Sequence, residues 1–322
     1  LCPQEFSAMK LTQYQDLDCR PFSSVSELVE AYFAEKESQT RMRQRSADLR
    51  HVVQTLTERN VRTLTLQEKQ RKDTEKRDQY RLFGELLHTY GYDCQPGASS
   101  VEVLNYYTGE QIRIPLDPLR SAMENAQKYY ARYTKLKRTA DALQDRMEET
   151  RGTLEHLESI AASLETAADE KDLAQIRREL ADSGYIRSGK TEKKKKEEKA
   201  APLHFRSSDG FDIYVGKNNY QNEAVSFGIA AGDDWWFHAK KMPGSHVIVK
   251  SEGKEVPDRT FEEAGRLAAF YSRGKLAPKV EIDYTLKKNL RRPAKARPGF
   301  VVYYTNFSMI AEPDISGIER LN

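Results

Sequence analysis

The chain has 322 residues, 38% of them apolar and 31% charged, which is too lean for one large globule and suits several domains with much exposed helix. Its formal net charge is only +3, so any affinity for a polyanion must come from local clustering of Lys and Arg. Cys2, Cys19 and Cys94 form no CxxC pair and are odd in number, which argues against a disulfide framework or zinc knuckle and for a reducing compartment; no run approaches a membrane span and no signal-peptide pattern is present, so the cytoplasm is expected.

Residues 1–20 begin LCPQEFSAMKLTQY, without an initiator Met or a helix-start signal, and read as the remnant of a preceding domain. Over 21–81, serine caps and an offset Glu in FSSVSELVEAYF predict a short amphipathic helix, followed by a long one whose seam is Met42, Leu49 and Leu56 at seven-residue spacing. The period changes over 82–120: a short helix ending at Gly91, a Pro96-Gly97 break and two strands joined at Thr108-Gly109 predict a small α+β middle domain. Over 121–184 a second seam appears, with Leu136, Leu143, Leu157 and Leu164 at one heptad position and Ala140, Met147, Leu154 and Ala161 at the other, then a capped helix closed by Gly184. The tract 185–202, with KTEKKKKEEK at its centre, has too few apolar side chains to order itself and reads as a flexible charged linker. Residues 203–322 change to the composition of a compact domain, with strands in LHFRSSDGFDIYVG, WWFHA, KVEIDYTLKK, GFVVYYTNF and SMIAEP, helices in NNYQNEAVSFGIA and RTFEEAGRLAAFYSRGK, and an end near Pro313. The expected fold is α+β and multidomain: a long antiparallel coiled-coil arm with a small α+β middle domain at its tip, then a compact mixed α/β C-terminal domain.

Three places carry candidate chemistry. Gly216, Lys217, Asn218 and Asn219 follow a strand and precede a helix, where Gly, free amides and a Lys make an anion site and Asn a cap; two readings stand, a phosphate ligand or a simple cap with a solvated Lys. No Walker spacing surrounds them. In DDWWFHAKKMPGSHVIVK, strand alternation puts Trp236, His238 and Lys240 on one face, as a stacking ring, a polar ring and a cation for RNA, and Trp235, Phe237 and Ala239 on a core face. His246 begins the return strand, so it can face His238, but no third ligand at a usable spacing suggests a metal, and Ser245 beside His246 has no nucleophile context. The third place is TLKKNLRRPAKARPGF, where Lys287, Lys288, Arg291, Arg292, Lys295 and Arg297 occur without an acid and suit an RNA backbone.

GKNNYQNE, DDWWFHAKKMPGSHVIV, EEAGRLAAFYSRGK, VEIDYT and RRPAKARPG, in this order, resemble the C-terminal RNA-binding domain (NFACT-R) of the NFACT family; VLNYYTGEQIRIPLDPLRSAMENAQKYYARYTKLKR and IRRELADSGYI resemble its coiled-coil and middle segments. Departures are Lys241 where an acid is common, Lys295 where glycine is common, and AVSFGIAA in place of a more polar helix. The resemblance implies a ribosome quality-control factor of the bacterial RqcH type. It would bind the large ribosomal subunit (rRNA and stalk base) carrying stalled peptidyl-tRNA and recruit tRNA for mRNA-independent alanine tailing. It would not itself be an enzyme, because the ribosome makes the peptide bond, and no cofactor is implied. Gly216, Lys217, Asn218, Asn219, Trp236, Phe237, His238, Lys240, Pro243, Gly244, Ser245 and His246 match the signature, and the polar ones are the RNA-contact candidates. The family's older name, fibronectin-binding protein A, supplies a different expectation, a surface adhesin that binds host fibronectin.

Overall fold

The computed structural model describes residues 5–9, 19–187, 200–294 and 296–322. Most of residues 1–20, expected as a remnant, most of the tract 185–202, expected as a linker, and Cys2 and Lys295 therefore lie outside the described residues.

Helix α1 (Val25–Thr74) runs unbroken for 50 residues, where two helices were expected. The Ser24 hydroxyl caps it by accepting from the Glu27 N–H at 3.3 Å, and no Gly or Pro follows to stop propagation. Next come α2 (Arg77–Tyr90), the hairpin β1 (Ser100–Asn105) and β2 (Glu110–Pro115), α3 (Ala122–Thr166) and α4 (Glu170–Asp182). Helix α3 starts with a reciprocal capping box, Glu124 N–H to Ser121 Oγ at 3.2 Å and Ser121 N–H to Glu124 Oε2 at 2.7 Å.

The chain divides into two compact units. In residues 58–154, Phe83, Leu86 and Leu87 of α2 pack on Val103 and Ile114 of the hairpin and Ala126 of α3, which makes this stretch a small α+β core. In the other unit (1–57 with 155–322), Leu49 and Val53 of α1 bury against Leu157, Ile160 and Leu164 of α3 and Leu173, Ile176 and Leu180 of α4. Of the leucines expected at the seams, Leu49, Leu143, Leu157 and Leu164 are buried, and Leu56, Leu136 and Leu154 are half-buried.

The C-terminal part of that second unit contains β3 (Leu203–Arg206), β4 (Asp212–Val215), α5 (Asn219–Glu223), a π-helical turn at Ala224–Ile229, β5 (Trp235–Ala239), β6 (Val247–Val249), α6 (Asp258–Phe270), β7 (Val280–Leu286), β8 (Phe307–Ala311) and β9 (Glu319–Arg320). The strands form one antiparallel sheet in the order β8-β7-β5-β6-β4-β3-β9. Helix α6 lays Ala264, Leu267 and Ala268 on one face, against Phe205, Ile213, Phe237, Val247 and Ile282. Two sequence expectations change here. Apart from Phe307, which opens β8, GFVVYYTNF is not a strand: it touches Arg291 through a single bridge at Val302 and packs Val301 and Tyr303 over the sheet's second face, without ladder pairing. The fold also continues past Pro313, because β9 pairs with β3 at Arg206↔Glu319. Among the described residues no helix is long and apolar enough to cross a membrane.

Candidate nucleic-acid interface

The Gly216–Asn219 corner is built by close approach. A Cβ on Gly216 would stand 2.7 Å from the Asn222 backbone nitrogen, so only glycine lets β4 meet α5 here. Gly216→Ala should therefore destabilise the fold by more than the usual surface substitution, about 2 kcal/mol or more, read as a lowered denaturation midpoint. Asn218 caps α5 by accepting from the Gln221 N–H at 3.0 Å, as expected, but its amide group donates to Gln175 Oε1 on α4 at 2.8 Å. The Asn219 amide donates to Ser159 Oγ at 2.8 Å and Glu179 Oε1 at 2.7 Å. Lys217 is 7% exposed, and its Nζ lies 2.8 Å from Oδ1 of the fully buried Asp172. Gln221 Nε2 donates to the same Asp172 oxygen at 3.3 Å, and Thr166 Oγ1 donates to the Lys217 carbonyl at 2.9 Å. With its ammonium neutralised and its amides directed at α3 and α4, the corner is a polar clasp holding the sheet against these helices. That corrects the phosphate reading of Lys217, Asn218 and Asn219.

The partners of the clasp were not picked out from sequence, although α4 carried a signal. Asp172, Gln175, Glu179 and Asp182 recur at i, i+3, i+7 and i+10, a polar stripe beside the apolar stripe of Leu173, Ile176 and Leu180. The first three hold the corner, and Asp182 accepts from the Tyr220 hydroxyl at 2.6 Å. Glu179 also meets His156 Nε2 at 2.8 Å, and His156 Nδ1 meets the Tyr185 hydroxyl at 3.2 Å. His156 and Glu179 face inward, whereas the Asp182–Tyr220 contact lies at the surface.

The hairpin is packed on both sides. Phe237 and Ala239 face α6, as the alternation predicts. Trp236, expected as an exposed stacking ring, is completely buried among Val225, Ala230, Ile248 and Leu290, because the π-helical turn and Leu290 cover the second face. His238 stacks on Trp236 with centroids 5.6 Å apart, and His246 meets His238 edge-on at 5.3 Å, so the two histidines do face one another. Burial pushes the His238 imidazole down to about 4, and burial followed by the neighbouring His238 ring holds His246 well below its ordinary value. Neither carries a proton near neutrality. His246 Nδ1 pairs with Ser226 Oγ at 2.7 Å, and the buried Ser245 donates its N–H to the Tyr271 carbonyl at 2.9 Å. Lys240 is paired with Glu281 and donates to Ser308 Oγ at 3.3 Å. Beneath it, the buried Asp283 accepts from the Tyr303 hydroxyl at 2.9 Å and the Ser308 hydroxyl at 2.6 Å. Trp236, His238, Lys240, Ser245 and His246 are therefore brought together, but as a packed layer with one charged side chain at its rim. Among the described residues, no three His, Cys, Asp or Glu side chains gather as metal ligands.

The basic segment is the part that turns outward. After β7 a 3-10 turn at Lys287–Asn289 is held by Lys287 N–H to the Asp234 carbonyl at 2.9 Å and Lys288 N–H to the Gly232 carbonyl at 3.1 Å, while Leu290 anchors in the core. Asp234 supports this turn as a carboxylate: burial alone would raise its pKa, but hydrogen bonds from Lys250 and the Ala231 and Ser251 N–H groups bring it below the ordinary value. Lys288, Arg291 and Arg292 are exposed and Lys287 is half-buried. Partners are peripheral: Lys288 stands 3.8 Å from Asp233, Arg292 reaches Glu223 at 2.8 Å, and Arg297 lies 5.8 Å over the Tyr185 ring. A fixed backbone presenting several cations outward is the arrangement that phosphate contacts need.

Residues 2–199 match the NFACT N-terminal and middle domains, and residues 202–304 match the NFACT protein RNA binding domain. The chain belongs to the NFACT family. Among its NFACT relatives, the Rqc2 homolog RqcH of Streptococcus pneumoniae serotype 2 (strain D39 / NCTC 7466) is 37% identical over 302 residues, covering 94% of this chain and 54% of that protein. The Rqc2 homolog RqcH of Bacillus subtilis (strain 168) is 32% identical over 320 residues, covering 98% and 55% respectively. This NFACT chain thus spans about half the length of the curated relatives it matches. A solved structure, the C-terminal of the fibronectin/fibrinogen-binding protein from Streptococcus suis, superposes with a TM-score of 0.68 at 28% identity, covering 87% of this chain and 99% of that one. The corner Gly216–Asn219 and the outward basic segment lie inside the matched RNA-binding domain, and the corner's partners on α3 and α4 lie inside the matched N-terminal and middle domains.

Proposed function

We propose that this chain is the ribosome-binding portion of an RqcH-type quality-control factor. It would engage the large subunit that carries stalled peptidyl-tRNA and help to position tRNA for alanine tailing without mRNA. The supporting observation is the outward basic segment Lys287–Arg292 within a domain matched as RNA-binding, in a chain whose overall charge is nearly balanced. In this reading α1 and α3 form the two strands of an antiparallel coiled-coil arm, with residues 82–120 at its tip directed to rRNA at the stalk base. The protein acts by positioning, the ribosome forms the peptide bond, and the place of action is the cytoplasm.

The test is binding to isolated large subunits across a salt series. Neutralising Lys287, Lys288, Arg291 and Arg292 to Gln should weaken binding and flatten the plot of log affinity against log salt by roughly 0.7 for each lost phosphate contact. Unchanged affinity at every salt concentration would remove this assignment. The name of the solved Streptococcus suis relative favours a second reading, fibronectin binding at the cell surface. Saturable binding of intact cells to fibronectin, lost on deleting this region, would support that alternative.

A further inference from the structure

Two loops at one end of the C-terminal sheet are locked together. The loop after β5 (240–245) and the loop after α6 (271–279) share a bridge between Gly244 and Ser272, with Arg273 N–H to the Pro243 carbonyl at 3.0 Å and Ser245 N–H to the Tyr271 carbonyl at 2.9 Å. Neither segment, KKMPGS or YSRGKLAPK, contains an acid, and together they carry Lys240, Lys241, Arg273, Lys275 and Lys279. Four acids flank them. Glu281 is paired with Lys240, Asp283 stands 3.9 Å from the same ammonium, Glu158 stands 3.4 Å from Arg273, and Glu312 follows Ala311, the strand partner of Val280. Lys241, Lys275 and Lys279 are exposed and have no carboxylate partner among the described residues. Lys241 is held at φ 54, a left-handed conformation that a non-glycine residue adopts at a cost, so the surrounding contacts fix where it projects. Beside these cations, Lys275 Nζ sits 4.0 Å over the Phe270 ring and Leu276 is 97% exposed.

We propose that these two loops form a second RNA-contact surface in which Lys241, Lys275 and Lys279 take phosphates of a single strand and Leu276 and Phe270 border its bases. The inference rests on the RNA-binding reading above and adds a separate place. Strand β7 runs from Val280 to Leu286, so Lys279 and Lys287 stand at its opposite ends, separated by roughly 26 Å at the usual rise per residue. One phosphate cannot meet both clusters. A strand bound to the domain would run along its outer surface from one cluster to the other, with the locked loops as its second support. Rigid cations beside exposed apolar carbon are the mixture by which sequence-tolerant single-strand sites work.

The 322-residue chain and its variants should be titrated with a poly(U) oligonucleotide over a range of salt, with thermal midpoints measured alongside. Lys241→Gln/Lys275→Gln/Lys279→Gln should lower affinity and reduce the salt slope by about 2, three contacts at roughly 0.7 each, while the Lys→Arg triple variant keeps the slope. The Lys287/Lys288/Arg291/Arg292 quadruple variant should lose its own share, and the combined variant the sum. A triple variant with wild-type affinity and slope, in a wild-type chain that does bind, would overturn the second surface and leave the first intact. Equal loss in the Gln and Arg triples, with a lowered thermal midpoint, would also overturn it, since the lysines would then be supporting the C-terminal end of α6. No salt-dependent binding by the wild-type chain would remove both surfaces.

Discussion

Replacing Lys217 with Met should destabilise the unit containing the C-terminal domain by about 3–5 kcal/mol, the cost of leaving one charge buried without its partner. The charge in question is Asp172. Its side chain is completely buried, with Lys217 Nζ at 2.8 Å on Oδ1 and neutral donors otherwise, Gln221 Nε2 at 3.3 Å on Oδ1 and the Ala168 N–H at 2.9 Å on Oδ2. Asp172→Asn should be similarly harmful because it strands the ammonium. The double variant Lys217→Met/Asp172→Asn removes both charges and should be less harmful than either single change, giving a favourable coupling of about 3 kcal/mol or more in a double-mutant cycle. Urea midpoints measure all three. An alternative role would look different: if Lys217 met phosphate, Lys217→Met would flatten the salt dependence of RNA binding and leave the midpoint within about 0.5 kcal/mol of wild type.

The same corner shows how far the sequence was legible. Asn218 as a cap needs only local geometry, and the capping hydrogen bond is present at 3.0 Å. The fate of Lys217 depends on α4, some forty residues earlier in the chain, and no rule of local spacing says that a polar stripe there will meet it. Strand alternation in WWFHA separated the two faces correctly, with Phe237 and Ala239 against α6. It could not say that both faces are covered, because the cover comes from the π-helical turn and from Leu290, Val301 and Tyr303, distant segments that read as an ordinary helix, a basic loop and a strand. GFVVYYTNF has the composition of a strand, yet burial can be met by lying across a sheet as well as by joining it. Apolar seams, Gly and Pro breaks and serine caps were readable because their causes act within one or two turns of chain. The basic segment was readable for a different reason: a run of cations without acids stays outside whatever the fold around it.

Acidification should weaken this domain above the range in which its paired carboxylates titrate. His238 is lowered to about 4, first by burial, with the carbonyl and carboxylate surroundings of Gly244, Asp283 and Ala239 opposing in part. His246 is lowered well below its ordinary value by burial and then by His238, with Asn222 opposing. In the unfolded chain both titrate near 6.5. Between that value and the folded one the unfolded state holds more protons, so stability rises with pH through this window, is complete above it, and is lost as pH falls toward about 4 and, for His246, further. For His238 the full effect is on the order of 3 kcal/mol, at about 1.4 kcal/mol per pH unit, and smaller to the extent that water reaches its half-buried ring. Asp212 and Asp234 are lowered too. Burial opposes both shifts, but hydrogen bonds outweigh it, from Arg206 and His204 at Asp212 and from Lys250, Ala231 and Ser251 at Asp234, so their contributions persist until the pH is below the ordinary carboxylate range. Urea midpoints at pH 7, 6, 5 and 4.5 should therefore fall in wild type, and His238→Asn should flatten the slope by about one proton. A His238→Asn/His246→Asn chain that is weakened by acid as steeply as wild type would show that the pair titrates as in free peptide. The aromatic layer around Trp236 would then be open to water in solution.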